Sequence, residues 1–343
     1  MSTPQQPGSS TTTIIRTAVN ENTDRRDFRG LLRRQLQQSL AFGTLIVLVL
    51  FFSIFGRNFL TWNNISGILL ATAVIGILAL GTTFVIITGG IDLSIGTGMA
   101  LCAVMTGVFI TNFGLPLFVG VIGGILTGVL MGFINGVNIT FLRLPPFIAT
   151  LAMMMIAGGL ALVVSGVAPI YFSETPDFQK IALGTLIPGL PNAVLITLVL
   201  AIVAYVVLSK TLLGRYTFAI GSNEEAARLS GVNTRRWTIL VYMFAGAFTG
   251  VAGVIIASRL GSAQPQTGSG YELQAIAAVI IGGTSLLGGR GSILGTVIGA
   301  LIMSVLVNGL RILSIQPEWQ NIVVGVVILI AVFFDSLRNR SRT

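Results

Sequence analysis

The sequence predicts an all-α, polytopic helical membrane protein of about ten transmembrane helices. Three observations carry this. Of its 343 residues 53% are hydrophobic and only 9% charged, with a mean hydropathy of +0.91, where a soluble domain carries about 25% charged residues. The apolar residues fall into many runs of about 20, each long enough to cross roughly 30 Å of hydrocarbon. The runs do not alternate over about ten residues, as the strands of a transmembrane barrel do.

The elements follow in order. Residues 1–36 are polar, rich in Ser, Thr, Gln and Arg, and read as a polar arm without a core of its own. The first span, 38–56, lies too far into the chain and precedes too many others to be a cleaved signal, so it reads as an uncleaved anchor. Nine more spans are expected at 64–88, 93–111, 116–141, 146–166, 190–209, 236–258, 271–288, 293–310 and 318–336. Gly and polar residues interrupt the third and the eighth. The transmembrane domain is thus expected over 37–337, with a basic tail at 338–343.

Charge sets the orientation. The chain has 20 Lys and Arg against 11 Asp and Glu, a net charge of +9. That excess does not point to nucleic acid, because it flanks the spans. An even number of spans puts both termini on one side. With that side cytoplasmic, sixteen of the cations lie inside, and only Arg57, Lys180, Arg259 and Arg311 lie outside. This is the asymmetry of a multi-pass protein with both termini cytoplasmic.

The single cysteine, Cys102 in an apolar span, excludes an intrachain disulfide and reads as a small hydrophobe. The chain has no histidine, which removes the commonest metal ligand and proton shuttle, and no metal site is expected.

The fourth span carries Gly120, Gly124, Gly128, Gly132 and Gly136. A four-residue spacing keeps all five on nearly one helix face, where another backbone can approach closely. At an offset of 171 residues Gly124, Gly128 and Pro146 fall on Gly295, Gly299 and Pro317. The same offset carries span two onto seven, four onto nine and five onto ten, so spans 2–5 and 7–10 are the expected repeat. Five spans is an odd number, so the two halves would be an inverted repeat, as in many transporters.

Few residues can carry chemistry. The Gly-rich run 282–291 lacks the Gly-Lys-Ser/Thr of a phosphate cradle, so ATP hydrolysis is not expected of this chain. Asp92, after Gly89-Gly90-Ile91, either lines a pathway or caps the third span. Asn135 and Asn308 are amides within spans, which either join helices or line a pathway. Arg259 and Glu272, near the outer side, are candidates for contact with an extracytoplasmic partner.

The most informative stretch is a polar island at 210–236 between apolar spans. It holds Lys210, Arg215, Arg228, Arg235 and Arg236 around a short helix-forming run, Glu224-Glu225-Ala226-Ala227-Arg228, followed by Gly231. Its cytoplasmic placement and small residues suit close docking of another protein. A solvated connection has the same composition.

Several longer motifs resemble the permease subunits of ribose-type ABC sugar importers. They are Gly89-Gly90-Ile91-Asp92-Leu93-Ser94, Pro146-Phe147-Ile148-Ala149-Thr150-Leu151, Leu213-Gly214-Arg215-Tyr216 and the run from Gly221 to Gly231. Ser258 to Pro265, Gly270-Tyr271-Glu272-Leu273 and Ile280 to Gly291 complete the set. The resemblance covers about residues 40–337. It implies that Glu224, Glu225, Ala226, Ala227, Arg228 and Gly231 form a coupling helix that docks on a cytoplasmic ABC ATPase. The wider importer motif continues after the glycine with Ile-x-Leu-Pro, whereas here Val232-Asn233-Thr234 follows. The resemblance further implies a bacterial inner-membrane location, an extracytoplasmic sugar-binding protein and a second permease subunit, a homodimer being expected. ATP and Mg would sit on the ATPase, with no cofactor on this chain. The competing classes are a permease for nucleosides, amino acids or a sugar-like signal, an ion-coupled carrier, and a non-transporting scaffold. The scarcity of buried acids and absence of histidine count against ion coupling.

Overall fold

The computed structural model describes residues 41–340. The arm expected at 1–36 and the last three residues of the expected tail lie outside the described residues. Within them, each of the ten expected spans corresponds to an apolar helix. Eight are long and apolar enough to cross a membrane: α2 (Trp62–Ile87), α3 (Ile95–Gly107, continued by a π-helical turn Val108–Asn112), α4 (Leu117–Thr140), α5 (Pro146–Ser165), α7 (Asn192–Lys210), α10 (Thr234–Leu260), α12 (Ile293–Ile312) and α13 (Pro317–Arg340). Two are shorter, α1 (Ala41–Phe55) and α11 (Tyr271–Ile281). Short helices α6 (Asp177–Leu183), α8 (Leu212–Ser222) and α9 (Glu224–Leu229) lie between the long ones. A two-residue strand β1 (Ile170–Tyr171) pairs antiparallel with β2 (Ser262–Ala263).

The helix ends follow local chemistry. Proline opens α5 and α13, where its fixed φ and missing N–H suit the first helical position. Gly166 and Gly261 stop α5 and α10 in the left-handed region. The eighth span was expected to run to 288, but α11 ends at Ile281. Gly282 and Gly283, the latter at φ 93°, take the chain out of the helix, and residues to 291 form a loop.

Burial separates centre from periphery. The apolar window of α2 is 89% buried and that of α13 only 11%. α2 and α10 pack on each other at the centre, and α3, α11 and α12 surround them. Outer helices turn large apolar side chains outward, among them Leu126, Leu130, Ile202, Leu329 and Phe333. In water such a surface would be an aggregation patch; in a bilayer it is the lipid face.

All five positions of the glycine face on α4 are buried, three of them with neighbouring backbone nearest and two with side chains nearest. Gly120 and Gly124 lie against α3, while Gly128, Gly132 and Gly136 lie against α10. A Cβ on Gly128 would fall on the carbonyl oxygen of Gly246, and a Cβ on Gly246 would fall on that of Gly128. Only glycine at both positions permits this approach, which maximises dispersion contact between two helices.

Helix partners exchange as the sequence offset requires. α2 packs on α11 and α12, and α10 packs on α3 and α4. α3 and α11 occupy corresponding places, each preceded by a non-helical connection, 88–94 and 264–270. Their first turns meet: a Cβ on Gly96 would fall on the Glu272 carboxylate, and one on Gly268 would fall on the Gly96 carbonyl oxygen.

Candidate coupling and pathway sites

The polar island is almost wholly helical rather than a loop. α7 ends at Lys210, α8 begins at Leu212, α9 spans Glu224–Leu229, and α10 starts at Thr234, two residues earlier than expected. Asn223 separates α8 from α9 with extended backbone and caps the second helix, its Oδ1 accepting from the Ala226 N–H at 2.9 Å. Glu224 and Glu225 occupy the first turn and Arg228 the last, which matches the helix dipole. Gly231, at φ 84°, reverses the chain.

Every residue of α9 except Ala227 is exposed. Leu229 leaves 80% of its surface uncovered. Glu225 and Arg228 approach to 3.6 Å; this exposed pair contributes little to stability. α9 is therefore a short, capped helix presenting two acids, a small Ala226 and a large apolar side chain on one end of the bundle.

Behind α9 the chain is tightly joined. Tyr216 on α8 packs on Trp237 of α10 with ring centroids 4.7 Å apart. Gly221, one residue from the end of α8, lies directly on the carbonyl oxygen of Ile87, the last residue of α2. That carbonyl also accepts from the Gly289 N–H at 2.8 Å. A cleft of about 970 Å³ opens at the same end, between the α4–α5 connection and α8–α10. Glu224, Arg228 and Gly231 line its mouth with Arg143 and Arg235, and it reaches in to Gly90 and Tyr242.

Past the floor of this cleft lies a buried polar cluster. Asp92 is 3% exposed. Its Oδ1 accepts from the Ser94 amide at 2.9 Å and from the Ser94 hydroxyl at 2.6 Å. The Ser94 hydroxyl in turn accepts from Asn135 Nδ2 at 3.0 Å. Thr150 on α5 donates to the Ile91 carbonyl at 3.1 Å. Asp92 thus fixes the connection into α3, and Asn135 and Thr150 tie that connection to α4 and α5. Asn135 lies about 8 Å inside the end of α4 at a rise of 1.5 Å per residue, which sets the depth of the cluster.

The structure brings some of the expected residues together and separates others. Asp92 and Asn135 meet through Ser94. Asn308 on α12 is half-buried and does not join them. Glu272 was expected at an outer surface; it is half-buried instead, its Oε1 accepting from the Gly270 amide at 3.1 Å and its Oε2 enclosed against Gly96. It belongs to the seam between α11 and α3. Arg259 sits half-buried in the last turn of α10, next to β2, at the end opposite α9.

Sequence reasoning passed over Tyr242, Leu229 and Asp335. Asp335 accepts from the Ser285 hydroxyl at 3.3 Å and the Leu286 amide at 3.2 Å, holding the 282–291 loop to α13. An acid inside the last apolar run was signal enough to single it out. Leu229 gave no signal, because one leucine in a polar run is ordinary.

Fold and site define a helical membrane permease, built around the packed pair α2 and α10, with an exposed helix at one end. The chain belongs to the family described as branched-chain amino acid transport system / permease component, whose model matches residues 64–332. It is 42% identical over 311 residues to the ribose import permease protein RbsC of Escherichia coli (strain K12), covering 90% of this chain and 96% of that one. It is 45% identical over 293 residues to the ribose import permease protein RbsC of Bacillus subtilis (strain 168), covering 85% and 90%. A solved structure described as an inward-facing conformation of a putative metal-chelate type ABC transporter is similar in fold, with a TM-score of 0.50 and 17% identity over 88% of this chain and 99% of that one. The chain is a transport component and a multi-pass inner-membrane protein.

Proposed function

We propose that this chain is the permease subunit of an ABC importer that carries a ribose-like monosaccharide across the cytoplasmic membrane. ATP hydrolysis takes place, with its Mg, on a separate ATPase subunit, and this chain itself needs no cofactor. One observation carries the reading: the chain is more than 40% identical to ribose import permeases from two organisms over nearly its whole length.

The geometry supplies the mechanics. α9 stands on the cytoplasmic face and docks on the ATPase through Glu224, Glu225, Ala226, Arg228 and Leu229. Both termini lie on that side, as the distribution of Lys and Arg favours. A sugar-loaded binding protein docks at the opposite face, near Arg259. Two copies of the chain enclose the pathway and rock between outward and inward openings, with the bistable packing of helices transmitting the change. The groups at depth are mostly amides and hydroxyls, which match the hydroxyls of a neutral sugar without a counter-charge. The family description extends to amino-acid permeases; the identity to ribose permeases favours the sugar.

The test is reconstitution of the chain in proteoliposomes with its ATPase and binding protein, followed by uptake of a labelled monosaccharide panel. ATP-dependent uptake of a pentose is expected. Uptake that needs no ATPase and follows a proton gradient would sink the proposal.

A further inference from the structure

We infer that Gly221, Ile87 and Gly289 form the rigid junction through which movement of α9 reaches both α3 and α11. The inference rests on the reading of α9 as the docking helix and adds the path inward from it.

Three segments meet at one carbonyl oxygen. The last residue of α2, Ile87, offers its C=O. Gly289 in the 282–291 loop donates its N–H to that oxygen at 2.8 Å. Gly221 of α8 lies so close that a Cβ there would fall on the same oxygen and 2.7 Å from the Gly289 nitrogen. A Cβ on Gly288 would stand 2.9 Å from the carbonyl oxygen of Gly221 and from the amide nitrogen of Gly89. At Gly221 and Gly288 the three nearest atoms are all backbone, so those contacts have no rotamers in which to absorb a push. Packed backbone transmits displacement because interiors have low compressibility.

Each arm of the junction leads to a different part of the machine. α8 runs through Asn223 into α9. The end of α2 runs through Gly89 and Gly90 to Asp92 and the start of α3. The loop runs back through Gly283 and Gly282 to α11 and forward to Ser292, whose side chain caps α12. The helices α3 and α11 meet at Gly96 and Glu272. A shift of α9 is thereby delivered from one point to both of them. Asp335 on α13 grips the loop from its other side through Ser285 and Leu286, which holds the loop as one body. Gly221 and Gly289 act through Ile87 and are positioning residues. They touch neither sugar nor nucleotide.

The experiment uses the full complex with its ATPase and binding protein in proteoliposomes, and reads sugar uptake per ATP hydrolysed. Gly221→Ala must part the junction. Its uptake per ATP is expected to fall by roughly tenfold or more, the scale of an ordinary coupling between two sites. A general folding defect removes active complexes and leaves this ratio unmoved. A second measurement needs no substitution: in the wild-type complex the Gly289 amide, bonded to the Ile87 carbonyl at 2.8 Å, is expected to stay protected from hydrogen exchange in both the nucleotide-free and the ATP-bound states. Wild-type coupling in Gly221→Ala, or loss of that protection in either state, overturns the inference. Should Gly221→Ala fail to insert, exchange at Gly289 decides alone. Glu225→Lys serves as the control: if it retains ATPase binding and uptake, the docking reading itself has failed and the relay falls with it.

Discussion

Asn135 donates from Nδ2 to the Ser94 hydroxyl at 3.0 Å, so α4 holds the connection that leads into α3. The Ser94 hydroxyl already donates to Asp92 at 2.6 Å and can only accept from the amide. The three side chains therefore form an ordered chain of donors that ends on a buried carboxylate.

That order sets the relative cost of two substitutions. Asn135→Ala leaves Ser94 bonded to Asp92 and orphans nothing else, so it should cost about 0.6 kcal/mol, typical for a hydrogen bond between membrane helices. Asp92→Ala strips the acceptor from both the amide and the hydroxyl of Ser94, at about 1–3 kcal/mol for buried groups left unpaired. Thermal unfolding of the two purified variants in detergent checks the ranking. A variant Asn135→Ala that unfolds at a lower temperature than Asp92→Ala would break the chain of donors as described.

The contact of Gly128 with Gly246 makes a second prediction. Gly246→Ala forces α10 away from α4 and should destabilise the fold by about 1–3 kcal/mol, the usual cost of overpacking. Gly325→Ala is the comparison, because nothing lies within 4 Å of its Cβ position. Size-exclusion profiles and melting temperatures of the two variants should differ clearly. Equal behaviour would mean that the helices are not in backbone contact.

These two regions were unequally legible. Five glycines at a spacing of four announce a packing face because helix geometry alone puts them in register. Ten apolar runs announce ten helices for the same reason, since hydrocarbon thickness fixes their length. Asp92 was legible only as an alternative between cap and pathway, because the choice depends on how far the 88–94 connection turns inward. Glu272 was misplaced because the 264–270 connection folds back toward α3, a tertiary event with no local signature. The glycines of the 282–291 loop were read against the phosphate cradle they fail to match. Their contact with Ile87 and Gly221 lies some 70 to 200 positions away in sequence and has no period to betray it.

α9 supplies two further predictions. Asn223→Ala removes its cap, worth about 1 kcal/mol locally, and should weaken retention of the ATPase in pull-downs while the membrane domain melts as wild type. Leu229→Asp replaces an exposed apolar contact with a charge and should release the ATPase more fully. Undiminished retention in Leu229→Asp would place the docking surface elsewhere.

The central claim is that α9 faces the cytoplasm and engages the ATPase, and one labelling measurement tests it most directly. Cys102, the one cysteine in the chain, is buried, so Leu229→Cys adds the only exposed thiol. Membrane-impermeant maleimide is predicted to label it in inverted vesicles stripped of ATPase, to leave it unlabelled in intact spheroplasts, and to be excluded once ATPase subunits are added back. Labelling in spheroplasts, or labelling in inverted vesicles that the ATPase does not block, would contradict the account.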